Sequence, residues 1–171
     1  MNTISTKTTY LEMLSPSQLR SVAAPPEAAI EPLHEPSAET YRLLYTTVGR
    51  NHQWVDRNRM SDEALRQIVQ DPLVEISVLC VAGHTAGFAE LDRRVSGEVE
   101  LAYFGIFPEY IGRGLGKFFL CSAITQAWSH SPRRVWLHTC DLDHPAALPN
   151  YLKAGFTIYD EEFIDQKIGL P

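Results

Sequence analysis

The most constraining feature of the sequence is a glycine-rich turn that joins an apolar strand to an amphipathic helix. Gly112, Gly114 and Gly116 alternate through this turn, which follows the strand that ends at Pro108. Glycine allows positive φ angles and the close approach of a ligand to the backbone. The unpaired N–H groups and partial positive charge of a helix N-terminus favour a phosphate or pyrophosphate. The turn therefore predicts a site for a phosphorylated cofactor.

Other glycine-rich phosphate sites have patterns that this turn does not match. A P-loop needs Lys followed by Ser or Thr after its last glycine, whereas Gly116 is followed by Lys117 and Phe118. A dinucleotide fingerprint has the spacing G-x-G-x-x-G near the start of a βαβ unit. Here the spacing is G-x-G-x-G and the turn lies deep in the chain. On the glycines alone, a tight strand-to-helix turn without a ligand is the remaining alternative.

The hydrophobic spacing along the chain predicts one domain of alternating strands and helices. Residues 1–37 are the least regular, with a candidate first strand at residues 8–13 and four prolines that exclude a continuous helix or a central strand. Residues 38–171 form the main domain. The predicted helices and strands, in chain order, are helices 37–48 and 61–71, strands 74–81, 86–92 and 98–107, helix 114–130, strand 134–139, helix 145–154 and a last strand that begins at 156.

The order of these segments predicts the fold class. Strands 74–81, 86–92 and 98–107 are joined by short turns, which is typical of antiparallel neighbours. The connection from strand 98–107 through a helix to strand 134–139 implies parallel pairing, because parallel strands need a long crossover. We therefore predict an α/β (α+β) fold with a mixed, largely antiparallel central sheet and helices on both faces.

Composition and charge exclude several classes of function. The chain has 171 residues, of which 44% are hydrophobic and 21% are charged, and a formal net charge of −6. This acidic balance argues against nucleic-acid binding, which usually needs a basic face, and is compatible with a cationic substrate. No apolar run is long enough to span a bilayer, and the N-terminus lacks the apolar core of a signal peptide. We expect a cytoplasmic protein without a membrane partner.

The cysteines do not predict a metal or redox site. Cys80, Cys121 and Cys140 are widely spaced and match no zinc-ligand or disulfide pattern. We expect reduced, mostly buried thiols, and we predict no metal. Cys121 and Cys140 are also poor candidates for acyl-carrying nucleophiles, because nothing in the sequence around them would activate a thiol.

Two segments resemble motifs of the GNAT acetyltransferase superfamily. Residues 105–116, GIFPEYIGRGLG, resemble the acyl-CoA signature, a Val-x-Pro strand end followed by Gln/Arg-x-x-Gly-x-Gly/Ala. Residues 144–156, HPAALPNYLKAGF, resemble the second motif, Asn-x-x-Ala-x-x-x-Tyr-x-x-x-Gly-Phe. The resemblance covers roughly residues 38–165 and includes the order of elements. The residues at matching positions of the second motif are Ala147, Tyr151, Gly155 and Phe156.

The resemblance implies acetyl-CoA as the cofactor and a gap between strands 98–107 and 134–139 that receives its pantetheine arm. Backbone groups near Ile106 and Phe107 would pair with the pantetheine amides, and His144 stands where the family usually has an Asn near this arm. Ile111 replaces the usual Gln or Arg, but binding should survive because the phosphates contact mainly backbone N–H groups. The turn residues implied to hold the cofactor are Ile111, Gly112, Arg113, Gly114, Leu115, Gly116 and Lys117.

The resemblance further implies direct attack of an amine on the thioester. An alkyl amine has a pKa near ~10 and arrives protonated, so a base must take its proton, and the leaving thiolate benefits from a proton donor. The resemblance places the catalytic Tyr at Tyr151. Glu100 is the first candidate for the base; it shares a strand face with Glu98, while Glu90 and Asp92 on the preceding strand are second choices.

The acceptor side is predicted less specifically. Trp54 and Asp56 lie between the first two helices, a region that commonly covers the acceptor site in the family, and an aromatic ring beside a carboxylate suits an amine. The leading hypothesis is an N-acetyltransferase that acts on a primary amine of a small molecule or a peptide, with a homodimer as a candidate assembly. The alternatives are a non-catalytic acyl-CoA-binding regulatory domain of the same fold and a nucleotide-binding domain.

Overall fold

The computed structural model describes residues 2–168 and contains the predicted alternation of strands and helices. The strands are β1 (Asn2–Met13), β2 (Ala28–Pro32), β3 (Val74–Val81), β4 (His84–Asp92), β5 (Glu98–Ile106), β6 (Arg134–Cys140) and β7 (Thr157–Ile168). The α-helices are α1 (Ala38–Gly49), α2 (Asp56–Arg59), α3 (Asp62–Val69), α4 (Leu115–Ser129) and α5 (Ala147–Ala154).

The described strands form one mixed sheet in the order β2-β3-β4-β5-β6-β1-β7. Its neighbouring strands are antiparallel except for β5 and β6, which are parallel as the crossover predicts. Successive β4 residues enter two different hydrophobic clusters: Phe88 packs with α1 and α3, whereas Ala89 packs with α4. Because successive side chains of a strand point to opposite faces, helices cover both faces of the sheet. The predicted fold class is confirmed.

β5 and β6 separate after a short parallel contact. Their pairing is limited to Glu98 with Arg134, Val99 with Val135 and Glu100 with Trp136. Beyond Glu100 the two strands diverge, which leaves one edge of β5 unpaired and opens the sheet. This divergence creates the cleft that holds the candidate site.

A β-bulge in β5 decides which side chains face this cleft. Leu101 pairs with Leu91 and Tyr103 with Glu90, so Ala102 is an extra residue without a partner on β4. An extra residue reverses the alternation of side chains along a strand. Glu100 and Tyr103, at positions of opposite parity, consequently lie on the same side of the sheet.

The N-terminal segment is more regular than the sequence predicts. β1 begins at Asn2 instead of residue 8, and β2 was not predicted, because the prolines of this segment argue against a central strand. β2 is an edge strand that pairs only with β3, and an edge position tolerates Pro32 at its end. The prolines thus excluded a central strand in this segment, as predicted, but they did not exclude an edge strand.

The last strand is also longer than predicted. β7 runs from Thr157 to Ile168 and pairs with almost the whole of β1. The acidic residues at 160–165 lie within it, whereas the sequence suggested that they follow a short strand. Because β7 is an edge strand with mostly exposed side chains, its carboxylates stay in water and give no hydrophobic alternation to read.

The first residues of two predicted helices, Ser37 and Ser61, are N-caps in the structure. The Ser37 hydroxyl accepts a hydrogen bond from the Thr40 N–H, and the Ser61 hydroxyl accepts one from the Ala64 N–H. Both bonds satisfy N–H groups that have no partner within their helix. α5 begins two residues later than predicted, and Pro149 lies in its first turn, where its missing N–H breaks no helical hydrogen bond. None of the described helices has the length and apolar character needed to cross a bilayer.

Candidate active site

A cleft of about 650 Å³ opens where β5 and β6 separate. Its lining comes from β5, β6, the glycine turn, α5 and the segment between α1 and α3. Three of the predicted site residues, Phe107, Arg113 and Leu115, do not line it. The predicted residues that do line it are Trp54, Asp56, Glu100, Ile106, Ile111, Gly112, Gly114, Gly116, Lys117, His144 and Tyr151.

The glycine turn presents open backbone at the N-terminus of α4. Gly112 has φ +85° and Gly114 has φ +75°, a conformation that side chains disfavour. A Cβ atom at either position would meet nothing within 4 Å, so the backbone is accessible from outside. Gly114 is the N-cap of α4 and supplies no side-chain cap. The first N–H groups of α4 are therefore suited to an anionic group.

Three residues predicted to hold the cofactor have other roles in the fold. The Leu115 side chain is buried in the hydrophobic cluster beneath α4, and the Arg113 guanidinium lies 5.1 Å from the centre of the Tyr110 ring. The Phe107 N–H donates to the Ala86 carbonyl at 2.7 Å. Phe107 therefore cannot offer its N–H to a pantetheine amide, and the prediction is corrected at this residue.

Ile106 is placed differently from Phe107. The Phe107 N–H bonds to the carbonyl of Ala86, while Ile106 itself is the partner of Gly87. This pattern makes Ile106 and Gly87 a non-hydrogen-bonded pair, in which the backbone N–H and C=O point away from the partner strand. The polar backbone of Ile106 consequently faces the open edge of β5, which borders the cleft.

Glu100 combines access to the cleft with a strongly perturbed pKa. Its side chain is 23% exposed and lies 3.7 Å from His138, measured between Oε1 and Nδ1. Burial, together with the nearby carboxylates of Asp92 and Glu90, raises the pKa of Glu100 to about 7 against the opposing charge of Arg57. Burial lowers the pKa of His138. Near neutral pH, Glu100 can therefore both accept and release a proton.

The other candidate bases are engaged elsewhere. Glu98 pairs with Arg134 at 3.0 Å, and Glu90 is completely buried against Arg57, with 2.6 Å between Oε2 and Nη2. Burial raises the pKa of Glu90, although Arg57 acts in the opposite direction. Neither carboxylate belongs to the lining of the 650 Å³ cleft.

Asp92 lines the cleft but is held by an arginine. Arg94 donates to both of its carboxylate oxygens, at 2.7 Å for the Nη2–Oδ2 contact. Although burial acts in the opposite direction, the hydrogen bonds from Arg94 lower the pKa of Asp92. A carboxylate with a lowered pKa is a weaker base, so Glu100 is the stronger base of the two.

Tyr151 lies on α5 at the wall of the cleft. Its side chain is nearly buried, at 9% exposed, and its ring packs edge-on against Phe104 and Phe156. Burial raises the pKa of Tyr151 well above its ordinary value, and the charge of Asp143 contributes in the same direction. The phenol therefore keeps its proton at physiological pH and can act as a donor.

The segment between α1 and α2 covers the cleft with aromatic rings. The Trp54 ring lies 5.5 Å from Tyr45 and 5.2 Å from Tyr103 between centroids. The Trp54 Nε1–H donates to Asp143 Oδ1 at 3.1 Å. Asp56 is exposed and borders the same cleft. The acceptor side predicted at Trp54 and Asp56 thus adjoins Glu100 in one cavity.

Asp143 is a residue that the sequence analysis missed. Besides the bond from Trp54, it accepts bonds from the Thr139 hydroxyl at 2.6 Å and the Cys140 N–H at 3.0 Å. It thereby joins the end of β6 to the aromatic cover from a position 89 residues away from Trp54 along the chain. An isolated Asp in a loop carries no periodic signal, so this role could not be read from the sequence.

His144 and Cys140 complete the β6–α5 side of the cleft. His144 Nδ1 accepts a hydrogen bond from the Ala146 N–H at 3.0 Å, which orders the loop before α5. Cys140 lines the cleft and is only partly buried, as is Cys121, so the expectation of mostly buried thiols holds for Cys80 alone. Burial raises the pKa of the Cys140 thiol, so nothing at this site activates it as a nucleophile.

The sequence comparison identifies the family. Residues 36–156 match the model of the acetyltransferase (GNAT) family. The chain belongs to this family. The GNAT resemblance carried by residues 105–116 and 144–156 is thereby confirmed. A search of curated protein sequences found no match.

Solved structures with the GNAT fold resemble this chain at low sequence identity. A GCN5-related N-acetyltransferase from Kribbella flavida has a TM-score of 0.65 at 17% identity, over 92% of this chain and 56% of that chain. One from Sphaerobacter thermophilus has a TM-score of 0.68 at 14% identity, over 95% and 51%. An IAA acetyltransferase from Bacillus cereus has a TM-score of 0.57 at 19% identity, over 78% and 79%. The chain therefore spans little more than half of the first two proteins, and the likeness concerns the fold.

Proposed function

We propose that the protein is an N-acetyltransferase that transfers an acetyl group from acetyl-CoA to a primary amine of a small molecule or a peptide. The observation that carries this proposal is the meeting of three features in one cleft. The open glycine turn, the Glu100 carboxyl group with its raised pKa, and the protonated phenol of Tyr151 all border it. The family of the chain supports the same activity.

The residues of the cleft fit acetyl-CoA. The N–H groups around Gly112, Gly114 and Gly116 would bind the pyrophosphate, with Lys117 adding a positive charge beside them. The unpaired backbone of Ile106 would bond to the pantetheine arm in the gap between β5 and β6. His144 would act on this arm through the loop that it orders. The thioester would then lie between Glu100 and Tyr151.

The two ionisable residues divide the proton transfers. Glu100 takes the proton of the incoming ammonium group, directly or through a water molecule. The neutral amine attacks the carbonyl carbon of the thioester, the carbon–nitrogen bond forms, and the carbon–sulfur bond breaks. Tyr151 gives its proton to the leaving thiolate, and the second proton lost by the attacking nitrogen passes through water to the Tyr151 phenolate. The products are an amide and free CoA, and Glu100 holds the first proton. A base whose pKa is about 7 is suited to this step at physiological pH.

A panel of primary amines with acetyl-CoA tests the proposal. Free thiol should appear with at least one amine, and calorimetry should detect CoA binding to the same protein. CoA binding without thiol release on any amine would favour the non-catalytic acyl-CoA-binding domain. Stabilisation by ATP or NAD but not by CoA would contradict both and favour a nucleotide site.

A further inference from the structure

A second, smaller cavity adjoins the cleft at Glu100. It has a volume of about 250 Å³ and is lined by Asp92, Arg94, Val95, Glu98, Glu100 and Trp136. Asp92, Arg94 and Glu100 also line the larger cleft. A molecule at Glu100 therefore has two directions open to it, one toward the glycine turn and one into this groove, which we call the Trp136 groove.

The apolar wall of the Trp136 groove is held in place by its neighbours. Trp136 is the register partner of Glu100 across the parallel β5–β6 contact. The Arg134 guanidinium lies 5.4 Å from the Trp136 ring and is itself fixed by Glu98 at 3.0 Å and Glu12 at 3.1 Å. The indole is thus part of a braced cluster. A braced ring is a good binding wall, because little conformational entropy is lost when a ligand packs on it.

The arginines at this end of the cleft are already paired. Arg57 is bonded to the buried Glu90, and Arg94 is bonded to Asp92. A carboxylate brought in by the acceptor would lie close to the charges of Glu100 and Asp92, and the Arg94–Asp92 pair, which carries no net charge, would offset little of that repulsion. A lone ammonium group, in contrast, meets Glu100, whose carboxylate lies within ion-pair distance of the half-exposed His138 alone among the described residues, at 3.7 Å.

We propose that the acceptor is a cationic amine without a carboxylate beside its amino group, and that its apolar body occupies the Trp136 groove. This inference rests on the proposed function and names the substrate class for that same site. The amino group lies at Glu100, where it can reach the thioester, and a short linker leads the body away from the cofactor. Because a cavity of about 150 Å³ accepts benzene, the groove has room for one ring. An arylalkylamine such as 2-phenylethylamine has the required shape and charge.

The test compares three amines by calorimetry on the full chain in the presence of CoA. 2-Phenylethylamine carries both features, phenylalanine adds the carboxylate, and ethylamine lacks the ring. We expect 2-phenylethylamine to bind at least about tenfold more tightly than either of the other two amines. Only this amine buries a ring in the groove without bringing a carboxylate that Glu100 and Asp92 would repel. Equal or tighter binding of phenylalanine, or no binding of 2-phenylethylamine, would overturn the inference.

Variants of Trp136 locate the binding. Trp136→Ala should reduce the affinity for 2-phenylethylamine to that for ethylamine, whereas Trp136→Phe should keep most of it and guards against loss of folding. Phe163→Ala, which removes a ring that is 76% exposed on β7, is the control and should change neither affinity. Unchanged affinity in folded Trp136→Ala would place the ring elsewhere and overturn the inference.

Thiol release from acetyl-CoA, measured with the same three amines in separate samples without added CoA, separates this inference from the proposed function. The expected binding pattern without any thiol release would contradict acetyl transfer but support the amine site. Thiol release on other amines, with no preference for 2-phenylethylamine over phenylalanine, would support acetyl transfer and contradict the Trp136 groove.

Discussion

Replacing Glu100 by Gln should make the protein more stable at alkaline pH and much less active. Burial raises the pKa of Glu100 to about 7 in the folded protein, from an ordinary value of 4.5. A carboxyl group whose pKa is raised by folding favours the folded state below its unfolded pKa. That contribution is lost as the pH rises through the folded pKa. The amide that replaces the carboxyl group does not titrate, so the variant does not lose this contribution.

The size of the effect follows from the pKa shift. One pKa unit corresponds to about 1.36 kcal/mol, so the shift from 4.5 to about 7 corresponds to about 3 kcal/mol. Because the side chain keeps 23% of its exposure, solvent screens part of the cost. Relative to the wild type, we expect the Glu100→Gln variant to gain about 2–3 kcal/mol between about pH 4 and pH 8, mostly between about pH 5 and pH 7.

Urea denaturation at a series of pH values measures the free energy of unfolding of both proteins. The control is Glu75→Gln, which removes a carboxylate of the same sheet that lies outside both cavities and pairs with Arg93. In parallel, kcat/KM of the wild type should rise with pH through about 7, and Glu100→Gln should flatten this rise. A stability difference between the wild type and Glu100→Gln that stays constant from about pH 4 to pH 8 would refute the reasoning.

Further substitutions test the other parts of the cleft. Gly114→Val should lower CoA affinity at least about tenfold by calorimetry, because β-branched residues disfavour φ +75°. Gly83→Val, with φ +80° and equally open surroundings in the β3–β4 turn, is the control and should bind CoA normally. Tyr151→Phe should lower turnover about 10²-fold in the thiol assay with CoA binding unchanged; wild-type turnover would make Tyr151 a packing residue. Asp143→Asn should lower the free energy of unfolding by about 1–3 kcal/mol, measured by urea denaturation, because in either orientation its amide N–H faces another N–H donor. A stability equal to the wild type would contradict the assigned role of Asp143.

Local features of the fold were readable from the sequence because their causes are local. Ser37 and Ser61 cap their helices through hydrogen bonds to N–H groups three residues away. The glycine turn lies within a few consecutive residues, and the positive φ of Gly112 and Gly114 is a property of the backbone at those positions. The hydrophobic spacing of the sequence predicted strands β3 to β5. These features need no knowledge of distant partners.

The edge strands of the sheet could not be predicted from the sequence, because their hydrophobic alternation is weak. β2 contains a proline and β7 contains a run of carboxylates, and both become strands only through pairing with β3 and β1. Main-chain hydrogen bonds, which are independent of side-chain type, supply that pairing. Hydrophobic alternation can be absent at an edge, since neither face has to be fully buried.

Some residues of the site were predictable from the sequence, and others could be assigned only from the tertiary structure. The sequence by itself located the glycine turn, Tyr151 and a pair of carboxylates on β5, because each belongs to a contiguous motif or a strand period. Only the tertiary structure separated Glu98, paired with Arg134, from Glu100, whose pKa is raised in the cleft. The choice depends on how far β6 follows β5 and on charges from β4, which come together only in the folded chain. For the same reason the Trp54–Asp143 contact, 89 residues apart in the chain, was decided by the tertiary structure alone.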